Sequence, residues 1–130
     1  MNGKYSEYSP TLLRLTIGGM FIFTGISKLL NTDGIIGMLG SLGFPGPAFW
    51  AWLLLISEIV FGLSVLTGWK VKYTAWPLVI VLAVAALMVA LPGALKNPAG
   101  WVNVFFHLIG IAALIGIALT GPGKIAVSAE

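Results

Sequence analysis

AFWAWLLLISEIVFGLSVLTG, residues 48–68, carries a single ionisable side chain, Glu58, near its centre. An apolar stretch of about 20 residues crosses the ~30 Å hydrocarbon core of a bilayer as an α-helix. A helix also satisfies its own backbone hydrogen bonds, which lipid cannot do. Three more stretches have the same character, at residues 11–30, 74–91 and 101–120. None shows the period-2 alternation of a membrane barrel. The expected fold is therefore all-α: an integral membrane four-helix bundle forming one domain over residues 1–130.

Composition agrees. Hydrophobic residues make up 58% of the 130-residue chain and charged residues 8%, against roughly 25% charged in a soluble domain. So few charges cannot solvate a surface, and lipid must be the main solvent. The net charge of +3 comes from basic residues scattered near span ends, without a run or patch, so nucleic acid is not an expected partner. There is no cysteine, which removes disulfides, thiolate nucleophiles and Cys-ligated zinc or iron–sulfur sites from this chain.

The connections are short, apart from residues 31–47 (NTDGIIGMLGSLGFPGP). There Asp33 is expected to cap a short interfacial helix over about 33–43, before Phe44-Pro45-Gly46-Pro47 turns the chain back. Pro77 is expected in the first turns of the third span, where a missing N–H costs little. Trp50, Trp52, Trp69, Trp76, Trp101 and Tyr73 fall near span ends and read as interface anchors. Four spans put both termini on one side, with Lys4, Arg14, Lys70, Lys72 and Lys124. Lys28 and Lys96 fall on the other. Five basic residues against two places both termini in the cytoplasm of a prokaryotic cell.

Candidate chemistry is confined to a few side chains. Arg14, Gly18, Phe21, Gly25 and Lys28 follow one another at spacings of three and four, which sets them on one stripe of the first helix. Two cations and two glycines make a poor lipid face, so the stripe points into the bundle, where glycines let a second helix approach closely. Both cations also have the length to snorkel to headgroups. Glu58 is too short to snorkel. An unpaired carboxylate at that depth costs about 2.5–3.5 kcal/mol or more, so it is a proton- or ligand-handling group, the partner of Arg14 or Lys28, or both. Gly62 lies one turn on. In the fourth span, His107 shares a face with Asn103 and Gly110. It reads either as a hydrogen-bond partner for a neighbouring helix or as a proton relay, quinone contact or axial ligand. One histidine without cysteine is too little for a metal site, so none is expected. Ala86/Ala90 and Ala112/Gly116 are helix-contact signals. No phosphate loop, dinucleotide fingerprint, catalytic triad order or HExxH is present.

The pattern resembles the DoxX family of small prokaryotic membrane proteins. The resemblance covers nearly the whole chain and is carried by RLTIGGMFIFTGISKLL, SLGFPGPAFWAW, SEIVFGLSVLTGW and the closing GPGK. Its strongest elements are Arg14, Gly18, Gly25, Lys28, Glu58, Gly62 and Gly121-Pro122-Gly123. It implies a four-helix bundle in the cytoplasmic membrane and a link to thiosulfate:quinone oxidoreductases, terminal quinol oxidases and complexes that handle thiol or oxidative stress. Some relatives carry a histidine near the end of helix three and an acidic residue early in helix four. Here those regions read ALPGAL and WVNVFFH, so chemistry that depends on those groups would be missing.

Three functions follow as expectations. The first is a membrane subunit of a larger oxidoreductase complex, binding a quinone or similar lipid-soluble redox molecule at Arg14, Lys28, Glu58 and His107, with no cofactor intrinsic to the chain. The second is a non-catalytic accessory subunit, with Glu58 paired to a cation of helix one. The third is a small transporter or channel. Besides the bilayer, the expected partners are other membrane subunits or further copies of this chain.

Overall fold

The computed structural model describes residues 5–128; Lys4, counted above among the basic residues, lies outside them. Helix α1 spans Tyr8–Leu30, α2 Thr32–Ser41, α3 Pro47–Thr67 and α4 Val71–Ala85. A π-helical turn at Ala86–Ala90 carries α4 into α5, Leu91–Lys96, and a 3-10 turn at Pro98–Gly100 leads into α6, Trp101–Thr120. Tyr8–Leu30, Pro47–Thr67, Val71–Lys96 and Pro98–Thr120 are each long and apolar enough to cross a membrane.

Local chemistry explains where the observed elements depart from the sequence expectation. The short helix is capped by Asn31, not Asp33. The Asn31 side chain accepts the Gly34 N–H at 3.2 Å, and Asp33 falls in the first turn, where a carboxylate favours the helix dipole. The third span begins at Val71, which is fully buried, so Pro77 sits inside the helix rather than near its start. It therefore withdraws one N–H from the backbone ladder. The span also continues past Pro92 instead of ending at Leu91. The Leu91 N–H bonds the Ala86 carbonyl five residues back, and this wider turn leads the chain into Pro92, which has no N–H to offer. At the end of α3, Gly68 (φ 78°) takes the left-handed conformation. Its N–H bonds the Val65 carbonyl and the Trp69 N–H bonds that of Ser64, a Schellman closure that suits glycine.

The four spans form two closely packed pairs, α1 with α3 and α4 with α6, and the two pairs meet along lighter contacts. Glycine sets the first pair. A Cβ on Gly18 would stand 2.8 Å from the Leu66 nitrogen and 2.9 Å from the Gly62 carbonyl oxygen. A Cβ on Gly25 would stand 2.7 Å from Ile59 Cγ1. In the second pair, one on Gly110 would come within 2.8 Å of Leu82 Cδ1. Ala86 and Ala90 are buried, whereas Ala112 is exposed and Gly116 has open space beside it. The Ala112/Gly116 signal thus marks no close helix approach among the described residues.

Two hydrophobic clusters fill different parts of the bundle. The larger joins all four spans towards the end that holds the termini, through Ile17, Phe21, Val65, Val71, Leu78, Leu114 and Ile117. The smaller packs Ile35 and Leu39 of α2 on Ala51 of α3. The terminal end is closed by Arg14, which is wholly buried. Its Nε donates to the Pro122 carbonyl at 2.7 Å, Nη1 to Leu66 at 2.8 Å, and Nη2 to Lys124 at 2.9 Å and Ile125 at 2.7 Å. Gly121 and Gly123 have positive φ, and a Cβ on Gly123 would collide with the Glu7 carbonyl at 2.5 Å. The Gly-Pro-Gly turn is what lets the tail pass under α1 and present its carbonyls to Arg14.

Neighbouring glycines should behave oppositely. Gly18→Ala forces backbone apart at the α1–α3 contact and is expected to destabilise the protein in detergent by about 1–3 kcal/mol. Gly19→Ala meets nothing within 4 Å and should be neutral or stabilising by up to about 1 kcal/mol. Thermal unfolding of the two variants side by side checks this. Arg14→Met removes the donor of four hydrogen bonds, to the Leu66, Pro122, Lys124 and Ile125 carbonyls, of which Lys124 keeps the Thr11 hydroxyl. The change is expected to cost about 3 kcal/mol or more, and to expose residues 121–128 to limited proteolysis.

Candidate functional site

Glu58 is 3% exposed and lies on the face of α3 that meets α1. Lys28, in the last turn of α1, places Nζ 3.1 Å from Oε1 and 3.1 Å from Oε2 of Glu58. The Thr24 hydroxyl, one turn before Lys28, lies 2.9 Å from Oε2. Gly25 brings the helices together at this level, since a Cβ there would stand 3.2 Å from that of Glu58. The carboxylate thus has an opposite charge and a hydroxyl as partners, which is what hydrocarbon demands of a buried acid.

Two cavities adjoin the pair. The larger, about 480 Å³, is lined by Met38 and Leu39 of α2 and Leu42 just after it, by α3 from Trp50 to Glu58, and by α4 and the π turn from Pro77 to Val89. The smaller, about 240 Å³, lies between α1, α4 and α6 and is lined by Met20, Phe21, Thr24 and Leu82 among others. Lys28, Glu58, Val81, Ala85 and His107 line both. The two spaces are therefore lobes of one crevice between the helix pairs, with the ion pair and the histidine at the waist. Leu53, Ile80 and Val84 line the larger lobe and are also well exposed, so that lobe opens sideways between α3 and α4, at a depth where lipid would be. Its lining is apolar except at Lys28, Ser57, Glu58 and His107.

His107 contributes through one nitrogen. Nδ1 lies 2.8 Å from the Asn103 carbonyl oxygen. A carbonyl only accepts, so Nδ1 carries the hydrogen of this contact, and the ring lines both lobes. Among the described residues, no group of three His, Cys, Asp or Glu gathers in one place.

Of the four side chains singled out from the sequence, the structure brings Lys28, Glu58 and His107 to one crevice and keeps Arg14 away from it. Arg14 lines neither lobe, because its guanidinium is committed to carbonyls at the terminal end. Thr24 and Ser57 were not singled out. The signal for Thr24 was present, because it is three residues after Phe21 and four before Lys28, on the same stripe. Trp50, read as an interface anchor, also lines the larger lobe.

The DoxX family profile matches residues 9–91. The chain belongs to the DoxX family. Two curated proteins are similar over most of their length. One is "Putative oxidoreductase CatD" of Bacillus subtilis, 28% identical over 118 residues, covering 91% of this chain and 83% of that protein. The other is "Uncharacterized membrane protein Rv3486" of Mycobacterium tuberculosis, 29% identical over 131 residues, covering 92% of this chain and 80% of that protein. No solved structure matches. With four membrane-length helices, this DoxX protein is a multi-pass membrane protein.

The Lys28–Glu58 pair should show strong coupling. Lys28→Met leaves a buried carboxylate without its cation, and a loss of about 3 kcal/mol is expected. In Lys28→Met/Glu58→Gln the penalty should fall well below the sum of the single losses, by about 1–3 kcal/mol, in a double-mutant cycle of unfolding free energies.

Proposed function

We propose that this DoxX protein binds a quinone, or a lipid-soluble redox molecule of the same shape, in the crevice between its helix pairs, as the membrane subunit of a larger oxidoreductase complex. The observation that carries the reading is the larger lobe. It is an apolar space of about 480 Å³, within the range of small-molecule sites, open sideways towards lipid and polar only at its inner end. A quinone has that polarity, with an apolar tail and a ring whose oxygens accept hydrogen bonds. The ring lies against Lys28, Glu58 and His107, and the tail leaves between α3 and α4. Reduction of a quinone to a quinol takes two electrons and two protons. The partner subunit supplies the electrons. Glu58 and His107 Nε2 exchange the protons, and the Lys28 ammonium stabilises negative charge on the ring oxygen. The word oxidoreductase in the name of the B. subtilis relative supports redox chemistry. The termini face the cytoplasm, a sidedness supported by Lys70, Lys72 and Lys124 at that end of the bundle.

Trp50 provides the readout. Quenching of tryptophan fluorescence by a short-chain benzoquinone, titrated into purified protein in lipid nanodiscs, is expected to saturate. Glu58→Gln keeps the size of the side chain and removes its charge, and should weaken binding at least tenfold, a change of about 1.4 kcal/mol. Phe105→Ala, on the outer face of α6, should leave it unchanged. Unaltered affinity in Glu58→Gln would overturn the reading.

A further inference from the structure

Among the described residues of the spans, Thr24 is the one whose hydroxyl meets a carboxylate. Thr16, Ser27, Ser64 and Thr67 hydrogen-bond carbonyls three or four residues back in their own helices, the ordinary fate of such a residue in a helix. The Thr24 hydroxyl has two partners of different kinds. The Phe21 carbonyl oxygen lies at 3.1 Å in its own helix, and Glu58 Oε2 lies at 2.9 Å across the α1–α3 contact. A hydroxyl has one hydrogen to donate and two lone pairs with which to accept. The Phe21 carbonyl can only accept, whereas Glu58 can only accept when ionised and can donate when protonated.

We propose that Thr24 is a positioning residue whose hydroxyl hydrogen turns between Glu58 and the Phe21 carbonyl, so that Glu58 stays hydrogen-bonded whether or not it holds a proton. The inference rests on the reading of Glu58 as a proton-exchanging group. With Glu58 ionised, Thr24 donates to Oε2 beside the Lys28 ammonium. When a proton arrives on Oε2, Thr24 turns its hydrogen to Phe21 and accepts from the new carboxylic O–H. No bond other than O–H is made or broken, and no electron moves. A buried acid that could be satisfied in only one state would resist the change, because an unpartnered polar group in hydrocarbon is costly. The groups facing Glu58 fit such an exchange. Lys28 on α1 keeps its side chain 26% exposed, so its ammonium can lean towards the membrane surface when the carboxylate is neutralised. His107 on α6 lines the same waist. The lining from α2, α4 and the π turn contains no titratable group.

The test needs no quinone. Infrared difference spectra of the full chain in lipid vesicles, recorded between high and low pH, report protonated carboxyl groups directly, and the Glu58 band is identified by its loss in Glu58→Gln. Wild type and Thr24→Ser should share one wavenumber for that band. Thr24→Val and Thr24→Ala lack the hydroxyl and should both move it to higher wavenumber, because the acid has lost its oxygen partner. Thermal unfolding confirms that each variant is folded, and two hydroxyl-free variants guard against the failure of one. An unmoved band in both, or no Glu58 band at any pH at which the protein stays folded, overturns the proposal. Fluorescence quenching by benzoquinone is a separate measurement. Its failure alongside a shifted Glu58 band would remove the quinone and leave the Thr24 arrangement standing.

Discussion

A carboxylate near the centre of a membrane-spanning helix cannot reach water at either surface, and much of this bundle is arranged around that constraint. Glu58 is met by a lysine whose four-carbon stem runs inward from the last turn of α1 and by a threonine one turn deeper. Both partners lie on the same helix, so α1 must pass very close to α3, and Gly18, Gly25 and Gly62 remove the side chains that would hold the two apart. The closeness of that pair has a counterpart in the looser seam between it and α4–α6. Helices that are drawn together by glycine on one side and by bulkier residues on the other leave space between pairs, and the crevice lies there. The ion pair and the cavity are two outcomes of one packing pattern.

The two cations of α1, similar in the sequence, do different work. Lys28 faces a carboxylate and is partly exposed. Arg14 faces only carbonyl oxygens, and its planar fork is suited to that: several N–H groups diverge in one plane and reach the ends of two helices at once. A lysine would offer a point charge with no comparable spread. The Gly-Pro-Gly turn after α6 belongs to this arrangement and not to the crevice. The motif elements that mark the DoxX family in this chain therefore divide into a closure at one end and a polar site towards the other.

Most of the bundle was legible in the sequence because hydrocarbon is a demanding solvent. A span long enough to cross and poor in charge can only be a helix, and residues such as Glu58 stand out because the cost of their placement is high. The same logic picked out Lys28 and His107. It placed Arg14 with them because a helical stripe gives direction but not depth or partner. Which carbonyls await a guanidinium depends on a tail more than a hundred positions away, and no periodicity reports that. Thr24 was passed over because threonine is unremarkable within a span and its role depends on what faces it across the contact. Helix ends at Asn31, Val71 and Lys96 lie two to five residues from where hydropathy puts them for a local reason: capping, burial and a π turn decide them, and hydropathy averages over all three.

The Arg14 closure also has a consequence in time. During synthesis α1 leaves the ribosome long before Pro122, Lys124 and Ile125, which lie 108, 110 and 111 positions downstream. Until they arrive, a guanidinium near the membrane boundary keeps most of its hydrogens for water or headgroups, and the first helix is held in place mainly by packing against α3. Synthesis of residues 122–125 is then the event that lets Arg14 leave water. The Arg14 closure therefore ties the first span to the stretch after the fourth, and this end of the bundle can close only once all four spans have been made.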